Sequence, residues 1–281
     1  MRLQELQEAV RQELKEYYPL TEVDSFFYRL AEDYLGYTRF EVSLHEQEEI
    51  SAKAKENFFS ALKRLKNHEP IQYILRKTEF YGLSLAVNPT VLIPRPETEE
   101  LVDLIISQHK DRQDLTVVDL CTGSGCIALA LANHLKSAEV TGVDISTGAL
   151  ETARYNAAQL QIPVTFLEKD VLTGSLDIKN VDILVSNPPY VRNLEQKEMS
   201  ANVLNYEPHL ALFVENEDPL LFYRYIAEMA KKTLSPTGVV YCEINEYLGK
   251  ETKQLFKDAR FSMVEVKKDL FGKDRIVKAF L

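Results

Sequence analysis

Apolar residues return every three or four positions near the start of the chain, as in Leu3, Leu6, Val10 and Leu14 and again in Ile50, Ala54, Phe58, Leu62 and Leu65. That spacing gathers them on one face of a helix. Between the two stretches, Ser25 can cap a third helix carrying Phe26, Leu30 and Tyr34, and Gly36 can end it. Residues 1–68 therefore read as a small helical bundle. Over 69–97 the pattern changes: Phe80, Leu83, Leu85 and Val87 suit extended backbone, and Gly82, Pro89, Pro94 and Pro96 punctuate it. This predicts a β-hairpin linker. Over 98–281 short β-branched runs alternate with helical ones. Strands are predicted at Thr116–Leu120, Val140–Val143, Val164–Leu167, Ile183–Ser186 and Val239–Glu243, and helices near Ile127–Leu135, Gly148–Leu160 and Leu220–Leu234. Alternation of this kind belongs to an α/β domain with a parallel sheet covered on both faces. Met263–Lys267 and Ile276–Leu281 complete it as a hairpin around Gly272.

Composition narrows the possibilities without deciding among them. The 281 residues suffice for one large α/β domain and a smaller one. A formal net charge of -10, with no dense basic patch, gives no general attraction for a phosphate backbone, so direct nucleic-acid binding is not expected. Met1–Tyr18 lacks the apolar core of a signal peptide, and no apolar run reaches the roughly 18–20 residues needed to cross a bilayer. A cytoplasmic protein is expected. Cys121, Cys126 and Cys242 are odd in number and lack metal-ligand spacing, so they read as buried thiols rather than a disulfide framework or a zinc site.

The first α/β strand runs into Cys121-Thr122-Gly123-Ser124-Gly125 and then straight into a helix. A tight glycine turn there lets a nucleotide-like ligand approach the backbone. Nineteen residues beyond Gly125, at the end of the next strand, Asp144 is placed to accept hydrogen bonds from ribose hydroxyls. Gly123, Gly125 and Ala128 also satisfy the looser G-x-G-x-x-G/A pattern of dinucleotide enzymes, and the stretch equally fits a purely structural turn.

Asn187-Pro188-Pro189-Tyr190 is more specific. It follows a strand, and so sits at the carboxyl edge of the sheet, where open α/β folds bind ligands. Consecutive prolines fix two φ angles and keep the preceding residues out of the helical region, so the Asn187 side chain and the Pro188 carbonyl can be held in one geometry. Both present oxygen acceptors. An amide nitrogen is a poor nucleophile because its lone pair is delocalised, and two acceptors on its N–H groups can aim it at an electrophilic methyl. Tyr190 would stack on the flat group. No general base stands beside the motif, and His209 reads as a loop residue rather than a catalyst.

The sequence resembles the release factor glutamine methyltransferases, the PrmC or HemK family, over nearly its whole length. The resemblance lies in Glu69-Pro70-Ile71-Gln72-Tyr73-Ile74, Glu79-Phe80-Tyr81-Gly82-Leu83, Leu92-Ile93-Pro94-Arg95-Pro96-Glu97-Thr98-Glu99, Asn187-Pro188-Pro189-Tyr190-Val191, Tyr206-Glu207-Pro208 with Leu210-Ala211-Leu212, and Asp269-Leu270 with Gly272 and Arg275. It implies a seven-stranded, Rossmann-like S-adenosylmethionine-dependent methyltransferase domain behind an N-terminal helical domain, whose charged exterior and amphipathic interior suit substrate docking and plain structural packing alike. It also implies N5-methylation of the glutamine in the Gly-Gly-Gln motif of peptide-chain release factors, with S-adenosylhomocysteine as coproduct. By the same resemblance Cys121, Thr122, Gly123, Ser124, Gly125, Asp144, Val171 and Asn187 would line the cofactor, and Asn187 to Tyr190 would hold the glutamine. Cys121 and Arg76 stand where the family usually has glycine, and Val171 where it often has an aromatic residue. A monomer, with no metal and no membrane partner, is expected.

Two neighbouring readings use the same motif, one a ribosomal-protein glutamine and the other the exocyclic amine of a flipped-out nucleobase. The acidic balance and the missing recognition domain weigh against DNA. A vestigial cofactor fold serving as a translation adaptor would have no need of an intact Asn187 and Asp144.

Overall fold

The structure, a computed structural model, describes residues 1–173 and 175–281. Its internal packing divides the chain into two units, Met1–Arg76 with Ser200–Tyr206, and Lys77–Met199 with Glu207–Leu281.

The first unit is helical: α1 (Leu3–Leu14), α2 (Leu20–Leu35), α3 (Arg39–Leu44), α4 (Ala52–Lys66) and α5 (Ile71–Leu75), with Ala201–Tyr206 (α9 in chain order) added from the distant segment. The apolar stripes read from the sequence form its core, where Leu3, Leu6, Leu14, Phe27, Phe58 and Leu65 are almost completely buried. Burying each such side chain contributes about 1.5–3 kcal/mol, so the unit has a core of its own. Ser25 does not start the second helix. That helix begins at Leu20 behind Pro19, whose fixed φ and missing N–H suit a helix start, and Val23 extends the buried stripe of Phe26, Phe27 and Leu30 by a turn. Gly36 does end it, in the left-handed conformation at φ 73°. Ser51 caps α4 by accepting from the Ala54 N–H. Arg76 ends α5 with φ 59°, a left-handed cap at which glycine would carry no steric penalty. The Tyr206 hydroxyl donates to the Asn67 carbonyl at 2.8 Å, which ties the later segment to this unit.

The second unit opens with the hairpin β1 (Lys77–Phe80) and β2 (Leu83–Ala86), followed by α6 (Pro96–His109). The alternation then runs β3 (Thr116–Leu120), α7 (Cys126–His134), β4 (Glu139–Asp144), α8 (Thr147–Leu160), β5 (Thr165–Glu168) and β6 (Val181–Ser186). After it come β7 (Val191–Arg192), α10 (His209–Leu212), β8 (Phe213–Val214), α11 (Leu221–Thr233), β9 (Leu234–Glu243), α12 (Gly249–Asp258), β10 (Met263–Lys268) and β11 (Asp274–Phe280). Among the described residues the main sheet has seven strands in the order β10-β11-β9-β6-β3-β4-β5. It is parallel except for β11, which runs antiparallel to both β9 and β10.

Successive residues of the central strands point to opposite faces. Val117, Ile183, Val185 and Tyr241 pack with α6 and α7, whereas Val118, Leu184, Val240 and Cys242 pack with α11 and α12. Covering both faces buries the central strands, while their carboxyl ends and the loops that leave them remain available to form a site. The hairpin is fixed to this unit at two points. Asn156 of α8 exchanges hydrogen bonds with both backbone groups of Ala86, and Glu99 of α6 accepts from the Tyr81 N–H at 2.7 Å.

Gly142 in β4 shows how tightly sheet and turn are packed. A β-carbon there would lie 2.8 Å from the Phe166 ring and 2.8 Å from the Thr122 hydroxyl. Gly142→Ala is therefore expected to destabilise the second unit by about 1–3 kcal/mol, the usual cost of overpacking a filled interior. Urea unfolding followed by circular dichroism checks this, and an unchanged midpoint would contradict the packing.

Candidate active site

A single cleft in the second unit gathers most of the residues singled out in the sequence. Cys121, Thr122, Gly123, Ser124, Asp144, Val171, Asn187 and Pro189 line it. Gly125, Pro188 and Tyr190, also singled out in the sequence, adjoin lining residues in the chain but do not line it themselves. The lining residues come from strand carboxyl ends, from the loops that leave them and from the helices and connections beside them.

The turn from β3 into α7 is left-handed at three positions, with Cys121 at φ 60°, Gly123 at φ 55° and Gly125 at φ 81°. For Cys121 this is a conformation in which glycine is preferred. Gly125 serves as N-cap of α7, and a β-carbon on it would press on Ala153 and Leu129 at 3.2–3.3 Å. On Gly123 a β-carbon would meet no protein atom within 4 Å, so this backbone faces open space beside the cleft. Asp144 braces the turn from β4: its Oδ2 accepts from the Gly123 N–H and its Oδ1 from the Ser146 N–H, both at 2.9 Å. Burial pushes its carboxyl group up, and those backbone donors pull it back. Val171 is buried on a short 3-10 turn, and Lys169, Asp170 and the exposed Ile145 complete that side of the cleft.

Asp119 was not singled out in the sequence, although it stands immediately before the turn. It is wholly buried and accepts from the Thr122 hydroxyl at 2.6 Å and the Ala128 N–H at 3.2 Å, both on Oδ2. Its Oδ1, like the Ser124 hydroxyl, has no protein partner among the described residues. Burial pushes Asp119 up to about 7, against the pull of its two donors.

At the opposite wall, β6 ends in Ser186, whose hydroxyl donates to the Leu120 carbonyl at 2.8 Å and locks β6 to β3 just before the motif. The Asn187 amide donates to Thr98 Oγ1 at 3.2 Å, and Thr98 donates to Glu243 Oε2 at 2.7 Å. The Tyr190 hydroxyl donates to Glu243 Oε1 at 2.9 Å, and Asn245 Nδ2 donates to the Tyr190 carbonyl at 3.1 Å. Each end of the tetrapeptide is thus held by a side chain from another element. Among the described residues no donor meets the Pro188 carbonyl or Asn187 Oδ1. Glu243 is buried at the end of β9. Burial pushes its carboxyl group up, and Thr98, Tyr190 and Arg275 pull it back. The Tyr190 hydroxyl is pushed well above its ordinary range by burial and by Glu243, so it stays protonated as a donor.

The remaining sequence motifs brace this wall. Glu207, nearly fully buried, accepts from the Ile93 N–H and from the Arg95 guanidinium, joining the segment before α6 to the one after α9. Arg275 forms two bonds to Asp269 Oδ2 in the β10–β11 turn. His209 lies on α10, not in a loop, with its ring edge-on to Phe213. Cys242 is buried and unpaired, whereas Cys121 and Cys126, also unpaired, keep partial exposure beside the cleft. Among the described residues no group of three or more His, Cys, Asp or Glu could hold a metal ion, and no helix is long and apolar enough to cross a membrane.

The fold and the cleft define a methyltransferase. Residues 99–209 match the family model described as a methyltransferase small domain, and residues 5–75 that of the PrmC N-terminal domain. Among solved structures, a 16S rRNA methyltransferase of Thermus thermophilus in complex with AdoMet and guanosine superposes with a TM-score of 0.54 at 18% identity, over 73% of this chain and 49% of its own; the likeness is one of fold. The release factor glutamine methyltransferase of Flavobacterium psychrophilum is 47% identical over 92% of this chain and 91% of its own length. That of Bacteroides thetaiotaomicron is 44% identical over 96% and 97%. The chain belongs to the release factor glutamine methyltransferase family.

The buried carboxyl of Asp119 makes a pH-dependent contribution to stability. Its folded value near 7 lies above its ordinary 3.8, so the folded chain holds the proton more tightly. The stability it contributes is present at low pH and is lost as pH rises through that window. The stability difference between Asp119→Asn and the parent should tilt toward the variant from pH 4 to about 7 and then level off. Urea titrations at several pH values test it; a flat difference would show that Asp119 does not titrate there.

Proposed function

We propose that the protein transfers a methyl group from S-adenosylmethionine to the side-chain amide nitrogen of glutamine in the Gly-Gly-Gln motif of peptide-chain release factors. The observation that carries this reading is Asn187 at the carboxyl end of β6, which lines the same cleft as the glycine turn and has its Nδ2 engaged by Thr98; its Oδ1 and the Pro188 carbonyl are the two acceptors assigned to the substrate. An amide NH₂ is a flat group with two donors, and it suits two acceptors held in a fixed frame. Membership of the family names release factors as the substrate class.

The cleft fits the cofactor. Gly123 leaves room where any side chain would intrude, Asp144 has lone pairs remaining for ribose hydroxyls, and the unpartnered Ser124 hydroxyl stands in the cleft wall. When bound, S-adenosylmethionine supplies an electrophilic methyl on a sulfonium and leaves as neutral S-adenosylhomocysteine. The residues of the chain supply placement. Asn187 and Pro188 orient the nitrogen, which gains the methyl carbon and loses one N–H proton to solvent. Tyr190, anchored by its hydroxyl on Glu243, is the ring assigned to stack on the flat amide. No strong base is required, since alignment of a reactive pair can account for a large share of such a rate enhancement.

We assign the helical unit to docking of the release factor, because a protein substrate needs more contact surface than the cleft offers. Added whole release factor should slow amide exchange in α1–α4, and a short Gly-Gly-Gln peptide should not. Equal protection by both would remove the docking role.

Radiolabel transfer from S-adenosylmethionine to a release factor, followed by mass-spectrometric mapping, tests the activity itself. Label on any residue other than that glutamine would refute it. Asn187→Ala is expected to keep cofactor affinity by calorimetry and to lose about 100-fold or more in methyl transfer, the scale of a lost transition-state contact. Asp144→Ala should instead weaken cofactor binding, and unchanged affinity would take Asp144 out of the ribose role.

A further inference from the structure

The proposed reaction depends on which end of the Asn187 amide faces the substrate. An amide turned half over would present its NH₂ to the substrate NH₂, a donor against a donor. The two ends have nearly the same shape, so packing alone does not choose between them. A hydrogen-bond chain does.

We infer that Thr98 and Glu243 are positioning residues that fix the Asn187 amide with Oδ1 toward the substrate and Nδ2 away from it. This rests on the reading of Asn187 as an acceptor given above. The logic starts at Glu243. Its two oxygens receive one hydroxyl each, Oε2 from Thr98 and Oε1 from Tyr190. Ionised, the form that Thr98, Tyr190 and Arg275 favour against the push of burial, Glu243 can only accept, so the one hydroxyl hydrogen of Thr98 is committed to it. Toward Asn187 the Thr98 oxygen then has only lone pairs left, and the Asn187 group 3.2 Å away must be a donor. Nδ2 is taken, and Oδ1 is left for the ligand.

The same carboxylate fixes both ends of the tetrapeptide, Asn187 through Thr98 and Tyr190 directly. Thr98 is 2% exposed, so water does not readily compete for its oxygen. Its position has a structural cause as well, since Pro96 starts α6 and places Thr98 in the first turn, where a short hydroxyl side chain reaches the neighbouring strand ends.

Thr98→Val keeps the shape of the side chain and removes its hydroxyl. Single-turnover methyl transfer to a release factor should fall by about tenfold or more, as expected for a misaligned transition-state contact, with cofactor affinity within about twofold of the parent. Thr98→Ser should restore the rate. The decisive comparison is a double-mutant cycle with Asn187→Ala. Once the amide is gone there is nothing to orient, so Asn187→Ala/Thr98→Val should be no slower than Asn187→Ala alone. Multiplying losses would overturn the inference. Should Thr98→Val fold poorly by near-ultraviolet circular dichroism, Glu243→Gln replaces it in the same cycle and is judged by the same outcomes.

A measurement without substrate separates this inference from the proposed activity. In ¹⁵N nuclear magnetic resonance spectra, the side-chain NH₂ signals assigned by their loss in Asn187→Ala should shift in Thr98→Val and stay in place in Thr98→Ser. Unmoved signals in Thr98→Val overturn the inference whatever the chain methylates. An unlabelled release factor with the wild-type chain refutes the activity alone.

Discussion

Two carboxylates sealed away from water organise the catalytic unit. Asp119 lies at the end of β3 and Glu243 at the end of β9, on either side of β6 in the sheet. Burying an acidic group is costly unless donors surround it, and the cheapest donors are those of the adjoining loops. Each acid therefore draws a loop into one shape. Asp119 gathers Thr122 and the N-terminus of α7 and so forms the glycine turn. Glu243 gathers Thr98 and Tyr190 and so frames the tetrapeptide after β6. The two halves of the cleft share an edge of the sheet, and their mutual placement follows from the pairing of β3 with β6 and from the Ser186 hydroxyl on the Leu120 carbonyl.

The ledger for these groups is uneven. Glu243 has both oxygens occupied and a cation, Arg275, in its surroundings, while Asp119 keeps one oxygen without a protein partner. An incompletely satisfied buried acid costs stability, and such a cost concentrates where a ligand binds. The left-handed Cys121 adds backbone strain to the same turn.

Much of this could be read from the sequence because its signals are local. The seven strands and the helices α7, α8 and α11 follow from runs of β-branched residues and from helical spacing. The glycine turn, Asp144 and the tetrapeptide are contiguous strings with a chemical meaning. What escaped is long-range or faint. Thr98 meets Glu243 across 145 positions and Asn187 across 89, and nothing local marks a lone threonine or glutamate as half of a pair. Asp119 was within reach, since an acidic residue in an otherwise apolar strand has to find donors. Helix α12 carries five charged residues among its ten, and the face it buries is made of Gly249, Thr252 and Phe256, of which only Phe256 is strongly apolar, so hydrophobic spacing alone does not mark it. The start of α2 was misplaced because Ser25 imitates a cap, whereas the proline that opens the helix stands six residues earlier.

The return of Ser200–Tyr206 to the helical unit bears on how this protein can be taken apart. A module encoded by one uninterrupted stretch can be exchanged between relatives with a single splice. This one is encoded in two pieces, and the smaller lies inside the gene segment for its neighbour. A chimera that trades only the first 76 residues would leave a seven-residue graft facing a foreign host, so any swap of substrate preference by recombination has to carry both pieces together.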